Sequence, residues 1–345
     1  MLISEFDYQL PDDLIAQEPL VNRAASRMLV VNRAAQNWRD EQFQNFPDFI
    51  QSGDVIALNN TRVFPARLIG NKENLPGKIE LFLIRELGNN SWETLARPAR
   101  RIKENTILTF GDNQLRARVL KKSAEGHLIV EFETVEDFGE TLERVGQTPL
   151  PPYIRRSEKP IINDRERYQT VFASERGAIA APTAGLHFTP EILAAVRGRG
   201  AQIVEITLHV GYGTFEPVRV SDLSGHAVAP ERSEINAAAA EMLNRAKREN
   251  RRILAIGTTT TRALEAATDE SDTVQSGARE ASLTITPGYK FKTVNALLTN
   301  FHLPQSSLLV LVSTFAGHNL AMSAYNHAVA SRYRFYSYGD CMLIV

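Results

Sequence analysis

Three short segments place polar side chains where alternating strands and helices commonly bind ligands. In Ala181-Pro-Thr183-Ala-Gly185-Leu-His187-Phe188, Ile179–Ala181 reads as a strand and Thr189-Pro190 as the capped start of a helix. The small-residue turn between them, with Thr183 and Gly185, exposes backbone N–H groups and brings His187 to a strand end. Ligands in open α/β sheets bind at such ends. A plain loop with an ordinary surface histidine accounts for this segment equally well. In Leu208-His209-Val-Gly211-Tyr-Gly213-Thr214-Phe-Glu216, a second histidine at a strand end meets two glycines that permit close backbone approach. Tyr212 and Phe215 offer aromatic faces suited to a cation or a base, and Glu216 offers a carboxylate. A hairpin turn is the plainer reading there. Ile256-Gly-Thr258-Thr259-Thr-Thr-Arg262 reads as strand, turn and helix start, whose free N–H groups and hydroxyls can hold a carboxylate or phosphate. It lacks the Gly-Lys-Ser/Thr step of a P-loop, and helix capping explains part of the threonine run.

Weaker signals lie elsewhere. Asp54–Leu58 reads as a strand running into a turn at Asn59-Asn60. Thr299-Asn-Phe-His302 and the aromatic run Tyr333–Asp340 are dense in polar groups; the latter suits base stacking or a terminal strand. Residues 95–122 carry eight basic side chains, with Arg97, Arg100, Arg101 and Lys103 closely spaced, against Glu104 and Asp112. Such a run is a solvated face or a phosphate footprint. No metal-ligand spacing is visible: no cysteine pair, no His-Glu-x-x-His, and scattered histidines.

The elements that must hold these groups fall into two textures. Between Val63 and about Phe132, short β-like runs (66–69, 79–84, 92–96, 106–109, 115–120 and 128–132) are separated by Gly, Asn and Asp turns without a long helix. This predicts a small barrel or sandwich. Pro149-Leu-Pro-Pro152 reads as a stiff linker. Beyond it, strands at 203–210, 253–256 and 308–312 alternate with helices at 190–198, 237–250 and 258–267, which predicts an α/β domain with a largely covered sheet. The expected architecture is an α/β domain with a covered mixed sheet, built from residues 1–63 and 151–345. A small antiparallel β domain, residues 64–150, is inserted in it.

The chain has 345 residues, 43% hydrophobic and 23% charged, enough for a sizeable core. Lys and Arg total 39 against 40 Asp and Glu, a net charge of −1. That opposes wholesale coating of nucleic acid but permits a local basic patch. The single cysteine, Cys341, excludes an internal disulfide. With no secretory pattern at Met1–Asp7 and no apolar run of membrane length, a cytoplasmic protein without membrane association is expected.

In this order the segments resemble the S-adenosylmethionine:tRNA ribosyltransferase-isomerase family of queuosine biosynthesis. The resemblance rests on Ala57-Leu-Asn-Asn-Thr-Arg-Val-Phe-Pro-Ala-Arg67, Gly77-Lys-Ile-Glu80, Pro149-Leu-Pro-Pro-Tyr-Ile154, Tyr168-Gln-Thr-Val171 and the segments at 181–188, 208–218, 257–265, 299–304 and 332–340. It covers essentially the whole chain. It implies that the ribosyl carbons of S-adenosylmethionine move to the aminomethyl group of prequeuosine at the tRNA wobble position. Adenine and methionine leave, and epoxyqueuosine is formed. It also implies an α/β domain with an inserted β-barrel, no cofactor because S-adenosylmethionine is consumed, and a monomer with tRNA as its partner. Two positions depart from the family pattern: Ala229 stands where a histidine is expected three residues after His226, and Asn295 where an aspartate is expected.

Under that resemblance His187 and His209 are the expected proton-transfer groups, since histidine titrates in the required range. Glu216 is expected to balance the sulfonium or orient a histidine. Thr183, Gly185, Gly211, Gly213, Thr214 and His302 are expected to line the substrate site. Thr258, Thr259 and Arg262 suit the methionine carboxylate, and Asn59, Asn60 and Arg62 suit ribose or RNA phosphate. Arg97, Arg100, Arg101 and Lys103 are expected to touch tRNA. A methyltransferase would show a Gly-rich first strand–helix turn followed by an acidic strand end, absent near the N-terminus; a non-catalytic RNA-binding protein would leave S-adenosylmethionine intact.

Overall fold

A computed structural model describes residues 1–75, 77–123, 126–133, 137–156, 164–211, 213 and 218–345. Among them, a nine-stranded mixed sheet forms the main body. Its centre is parallel: Gln202–Leu208, Val55–Asn59, Ile253–Ile256 and Ala296–Asn300 lie side by side in that order. Cys341–Ile344 then runs antiparallel to Ala296–Asn300, Arg27–Asn32 parallel to Cys341–Ile344, and Asn37–Gln42 antiparallel at that edge. Glu231–Ile235 and Gly277–Ala281 extend the other edge antiparallel.

Both faces of Val55–Asn59, Ile253–Ile256 and Ala296–Asn300 are covered, which is why these strands are buried at every position, whereas Gln202–Leu208 nearer the edge alternates buried and exposed positions. Val55, Ala57, Leu29 and Val31 join the core under the helices Ala237–Arg248, Thr258–Ala267, Ser307–Ala316 and His318–Ala330. Ile56, Leu58, Met28 and Val30 face the opposite core, under the helix Pro190–Gly198 and the 3₁₀ turns Phe43–Phe49.

The inserted module is a closed barrel. Its strands run in the order Leu128–Glu133, Ser91–Arg97, Lys78–Gly88, Arg67–Lys72, Ile107–Phe110 and Leu115–Lys122, every neighbouring pair antiparallel. Alternate side chains such as Leu81, Leu83, Leu108, Val119 and Val130 fill its interior. At Gly70 a Cβ would sit 2.0 Å from the Thr109 carbonyl oxygen, so only glycine fits that crossing. A short helix, Phe138–Val145, capped by the Asp137 side chain, buries Leu142 in the barrel core.

Two local expectations are corrected. Leu308–Val312 is not a strand but lies on the helix Ser307–Ala316, whose first turn is capped by the Ser306 side chain. Nearly every position of that helix is buried, so no polar stripe reveals its period. Ile179–Ala181 lies beyond the strand Glu175–Ala178, which pairs in parallel with Thr61–Val63. The Ile179 N–H donates instead to the Val210 carbonyl at 3.1 Å. No single helix among the described residues is long and apolar enough to cross a membrane.

Candidate active site

At the carboxyl ends of Gln202–Leu208, Ile253–Ile256 and Ala296–Asn300 lies a cavity of about 460 Å³. This is the end of a parallel sheet where ligands collect. Ile253–Ile256 runs into Gly257, held at φ 93°, and the helix Thr258–Ala267 begins at once. A side chain at Gly257 would be strained, so glycine is required for the abrupt turn. Thr260 and Thr261 donate their hydroxyls back to the Ile256 and Gly257 carbonyls at 2.6 and 3.1 Å. Thr258 and Thr259 line the cavity instead. Together with the unpaired N–H groups of the first helical turn, they form a donor set suited to a carboxylate.

Arg262, one turn further along the helix, also reaches the cavity wall. Its guanidinium pairs with the buried Glu231 carboxylate at 2.7 Å and donates to the Leu283 and Ala281 carbonyls at 3.2 and 3.1 Å. Glu231 also accepts the Gly211 N–H at 2.9 Å. The pair therefore ties the helix to both edge strands and to the loop after Gln202–Leu208. Its charge is already matched inside the wall.

The histidines divide into those in the cavity and those outside it. His226 lines the cavity half-buried, with Nε2 2.7 Å from the Ser307 hydroxyl; burial lowers its pKa. The turn Leu223–Gly225, capped by Asp222, sets it there. His302 also lines the cavity, bound through Nε2 to Thr299 at 2.9 Å, and burial pushes its pKa down to about 3. His187 lies in a separate small cavity, against the Phe43 ring and 2.9 Å from the Ser26 hydroxyl. Burial lowers its pKa to about 4, and the Asn300 side chain opposes that shift. Asn300 belongs to the large cavity, so His187 stands one residue behind its wall. His209 does not line the cavity. It is half-buried, 2.8 Å from the Thr61 hydroxyl, with the Gly177 backbone close against its ring. Burial lowers its pKa as well.

Of the remaining expected residues, Thr183 and Gly213 line the cavity. Gly185 is a packing glycine: a Cβ there would meet Phe172 and Thr170 at 2.8 Å. Asn59 clamps adjacent strands, donating to the Leu208 carbonyl at 2.9 Å and accepting from the Leu208 N–H at 3.0 Å. Asn60 bonds Glu205 and Thr207, and Arg62 is exposed; none of these three lines the cavity. Thr214 and Glu216, with Tyr212 and Phe215, lie outside the described residues. Among the described residues no cluster of His, Cys, Asp or Glu is placed to hold a metal ion.

The basic run in the barrel sorts likewise. Arg116 and Arg118 pair with Glu73 and Glu133, and Lys122 caps the Ala99 and Ile102 carbonyls. Arg97, Arg100 and Lys103 are exposed; the Arg101 side chain is outside the described set. The features missed in the sequence are His226, Ser307, Glu231 and Asn300. His226 was visible only as a landmark beside Ala229, and Glu231 carries no local signal because its meaning depends on Arg262, 31 residues away.

Comparison with known proteins accords with this arrangement. A family model described as a queuosine biosynthesis protein matches residues 3–344. The S-adenosylmethionine:tRNA ribosyltransferase-isomerase of Syntrophotalea carbinolica is 48% identical over 347 residues, covering 100% of both chains. The protein of the same name from Natranaerobius thermophilus is 45% identical over 345 residues, covering 100% of this chain and 99% of its own. The crystal structure of S-adenosylmethionine tRNA ribosyltransferase from Thermotoga maritima matches with a TM-score of 0.57 and 34% identity, covering 99% of this chain and 100% of that one. The chain therefore belongs to the queuosine biosynthesis family of S-adenosylmethionine:tRNA ribosyltransferase-isomerases.

Proposed function

We propose that the enzyme moves and isomerises the ribosyl part of S-adenosylmethionine onto the aminomethyl group of prequeuosine at the tRNA wobble position. Adenine and methionine are released and epoxyqueuosine-tRNA remains. S-adenosylmethionine is consumed as a substrate. The observation that carries this reading is the cavity at the sheet's carboxyl ends, walled by Thr258 and Thr259 at a helix start and by His226. Its volume lies in the range of small-molecule sites.

The sulfonium supplies much of the chemistry by acidifying the neighbouring ribose C–H and making methionine a good leaving group. The protein must supply a base for that proton, an acid for departing adenine, and a water-poor site. The methionine carboxylate is assigned to Thr258 and Thr259. His226, whose lowered pKa keeps the ring neutral near pH 7, is the first group assigned to proton transfer. His187 and His209 are assigned to support the wall behind Asn300 and beside Thr61. The barrel's Arg97, Arg100 and Lys103 are assigned to the tRNA.

Incubation with prequeuosine-containing tRNA and S-adenosylmethionine tests the reading. Free adenine and methionine in equal amounts are expected. S-adenosylhomocysteine would identify a methyltransferase, and unconsumed S-adenosylmethionine a binding protein.

A further inference from the structure

Beside the catalytic cavity lies a second groove of about 420 Å³, between the barrel and the segment 148–156. Pro152 lines both spaces, so the groove opens next to the cavity. We infer that this groove holds an unpaired RNA nucleotide adjoining the one that reacts. Its base packs on the barrel face at Phe82 and Leu95, and its phosphate lies between Arg97 and Arg155. The inference rests on the tRNA substrate proposed above.

The barrel face is unusual for a solvated one. On Lys78–Gly88, Leu81 and Leu83 are fully buried in the barrel interior, so Phe82 points outward. Leu95 stands opposite Phe82 on the neighbouring strand, also outward and half-buried. Paired strands thus set an aromatic and an aliphatic side chain together on the outside, where alternation calls for polar residues. Buried Pro149 and Pro151 form the facing wall. A slot with an aromatic floor and rigid apolar walls suits a planar base, because every base has a π-face to stack.

The charges fit a phosphate. Of the four cations that line the groove among the described residues, two are already matched: Arg67 grips Glu80 at 2.8 and 3.2 Å, and Arg156 grips Asp164 at 2.8 and 3.0 Å. Glu80 is thereby neutralised and does not repel an anion. Arg97 is exposed and, among the described residues, has no ion-pair partner. Among the described residues, the Arg155 guanidinium has one ion-pair contact, with Asp12 at 3.8 Å and both side chains almost fully exposed, which is worth little in water. The two available cations therefore flank an apolar slot that runs toward the cavity. An isolated phosphate or an acidic peptide would make no use of the Phe82–Leu95 face.

The test uses the full-length enzyme, a labelled anticodon stem-loop carrying prequeuosine, and binding measured at several salt concentrations. Arg97→Glu and Arg155→Glu are each expected to weaken stem-loop binding on the order of tenfold. Each should reduce the salt slope by about 0.7, the single-strand value for one lost phosphate contact. Phe82→Leu, which keeps the side chain apolar, should weaken binding without changing the slope. Affinity for S-adenosylmethionine should be unchanged in all three. Folded variants with wild-type stem-loop affinity and slope overturn the inference. So does loss of S-adenosylmethionine affinity with RNA binding intact. Wild-type enzyme that binds the stem-loop with the expected salt dependence but releases no adenine overturns the proposed reaction and leaves the groove standing.

Discussion

Replacing Arg262 by alanine separates a structural role for this side chain from a role in ligand binding. Arg262 and Glu231 are both almost fully buried, 2.7 Å apart, and Arg262 also satisfies two or more backbone carbonyls. Removing the guanidinium leaves the Glu231 carboxylate buried in the wall without its cation, still accepting the Gly211 N–H. Breaking one side of a buried pair costs about 3–5 kcal/mol. Against a total stability of roughly 5–15 kcal/mol, that is a large fraction. With an unfolding slope of about 3 kcal/mol per M urea, the midpoint of the transition should fall by roughly 1 M or more. A double variant, Arg262→Met with Glu231→Leu, should recover most of the loss, since apolar replacement of both partners leaves no unpaired charge. The alternative is that Arg262 holds the methionine carboxylate directly. It then contributes about 1.5–3 kcal/mol to S-adenosylmethionine binding and little to folding. An Arg262→Ala protein with the wild-type urea midpoint and a 10- to 100-fold weaker affinity for S-adenosylmethionine would refute the structural reasoning.

Other outcomes follow from the same geometry. His226→Ala should lower turnover roughly 100-fold, the scale of a lost acid or base, with the urea midpoint unchanged; wild-type turnover would remove His226 from proton transfer. Thr258→Val and Thr259→Val should each weaken S-adenosylmethionine binding by roughly 2- to 10-fold, read by calorimetry, the range of one neutral hydrogen bond. His187 sits at about 4 when folded, below the ordinary 6.5, so the unfolded chain takes up its proton first. The His187 contribution to stability should therefore be intact above pH 6.5 and fall by about 1 kcal/mol per pH unit as pH drops from there toward 4, alongside a similar contribution from His302. His187→Gln should reduce the slope of stability against pH by about 1 kcal/mol per unit in urea titrations at pH 7, 6 and 5; an unchanged slope would show that His187 is not buried as a neutral ring.

The barrel was legible because its signals are local. Four of its strands, Lys78–Gly88, Ser91–Arg97, Leu115–Lys122 and Leu128–Glu133, show period-2 alternation, and turn residues at positive φ such as Asn89, Asn90, Asp112 and Asn113 lie where the sequence marks turns. Val55–Asn59 and Ile253–Ile256 were legible for the opposite reason, as short unbroken apolar runs, while Ala296–Asn300 was passed over because its polar end, Thr299-Asn300, reads as part of a polar segment. The same apolar signature misled at Leu308–Val312, since a helix buried all round and a buried strand look alike over five residues. The edge strands Glu231–Ile235 and Gly277–Ala281 were missed because charged and small residues dominate them. Only pairing with each other and with Gln202–Leu208 makes them strands. His318–Ala330 begins after Gly317 without a side-chain cap, and its small residues give no clear stripe.

The candidate site was legible as segments and illegible as contacts. Strand-end logic put Thr183, Gly213, Thr258, Thr259, Arg262 and His302 near a ligand, and all six line one cavity. The same logic also picked His209 and Asn59, which sit at strand ends but turn away from that cavity, and His187, which ends the 3₁₀ turn Thr183–His187 rather than a strand. A strand end fixes where the backbone arrives, not which way the side chain leaves it. For Asn59 the direction is set by the Leu208 backbone, 149 residues away; for His187 it is set by Ser26 and the Phe43 ring. His226 presents the converse case. It follows no strand, only a capped turn, and becomes a cavity residue because the helix Ser307–Ala316 brings the Ser307 hydroxyl to its Nε2. The helix that the sequence disguised as a strand is therefore the element that completes the site. Misreading its type hid the partner that makes His226 a candidate for proton transfer.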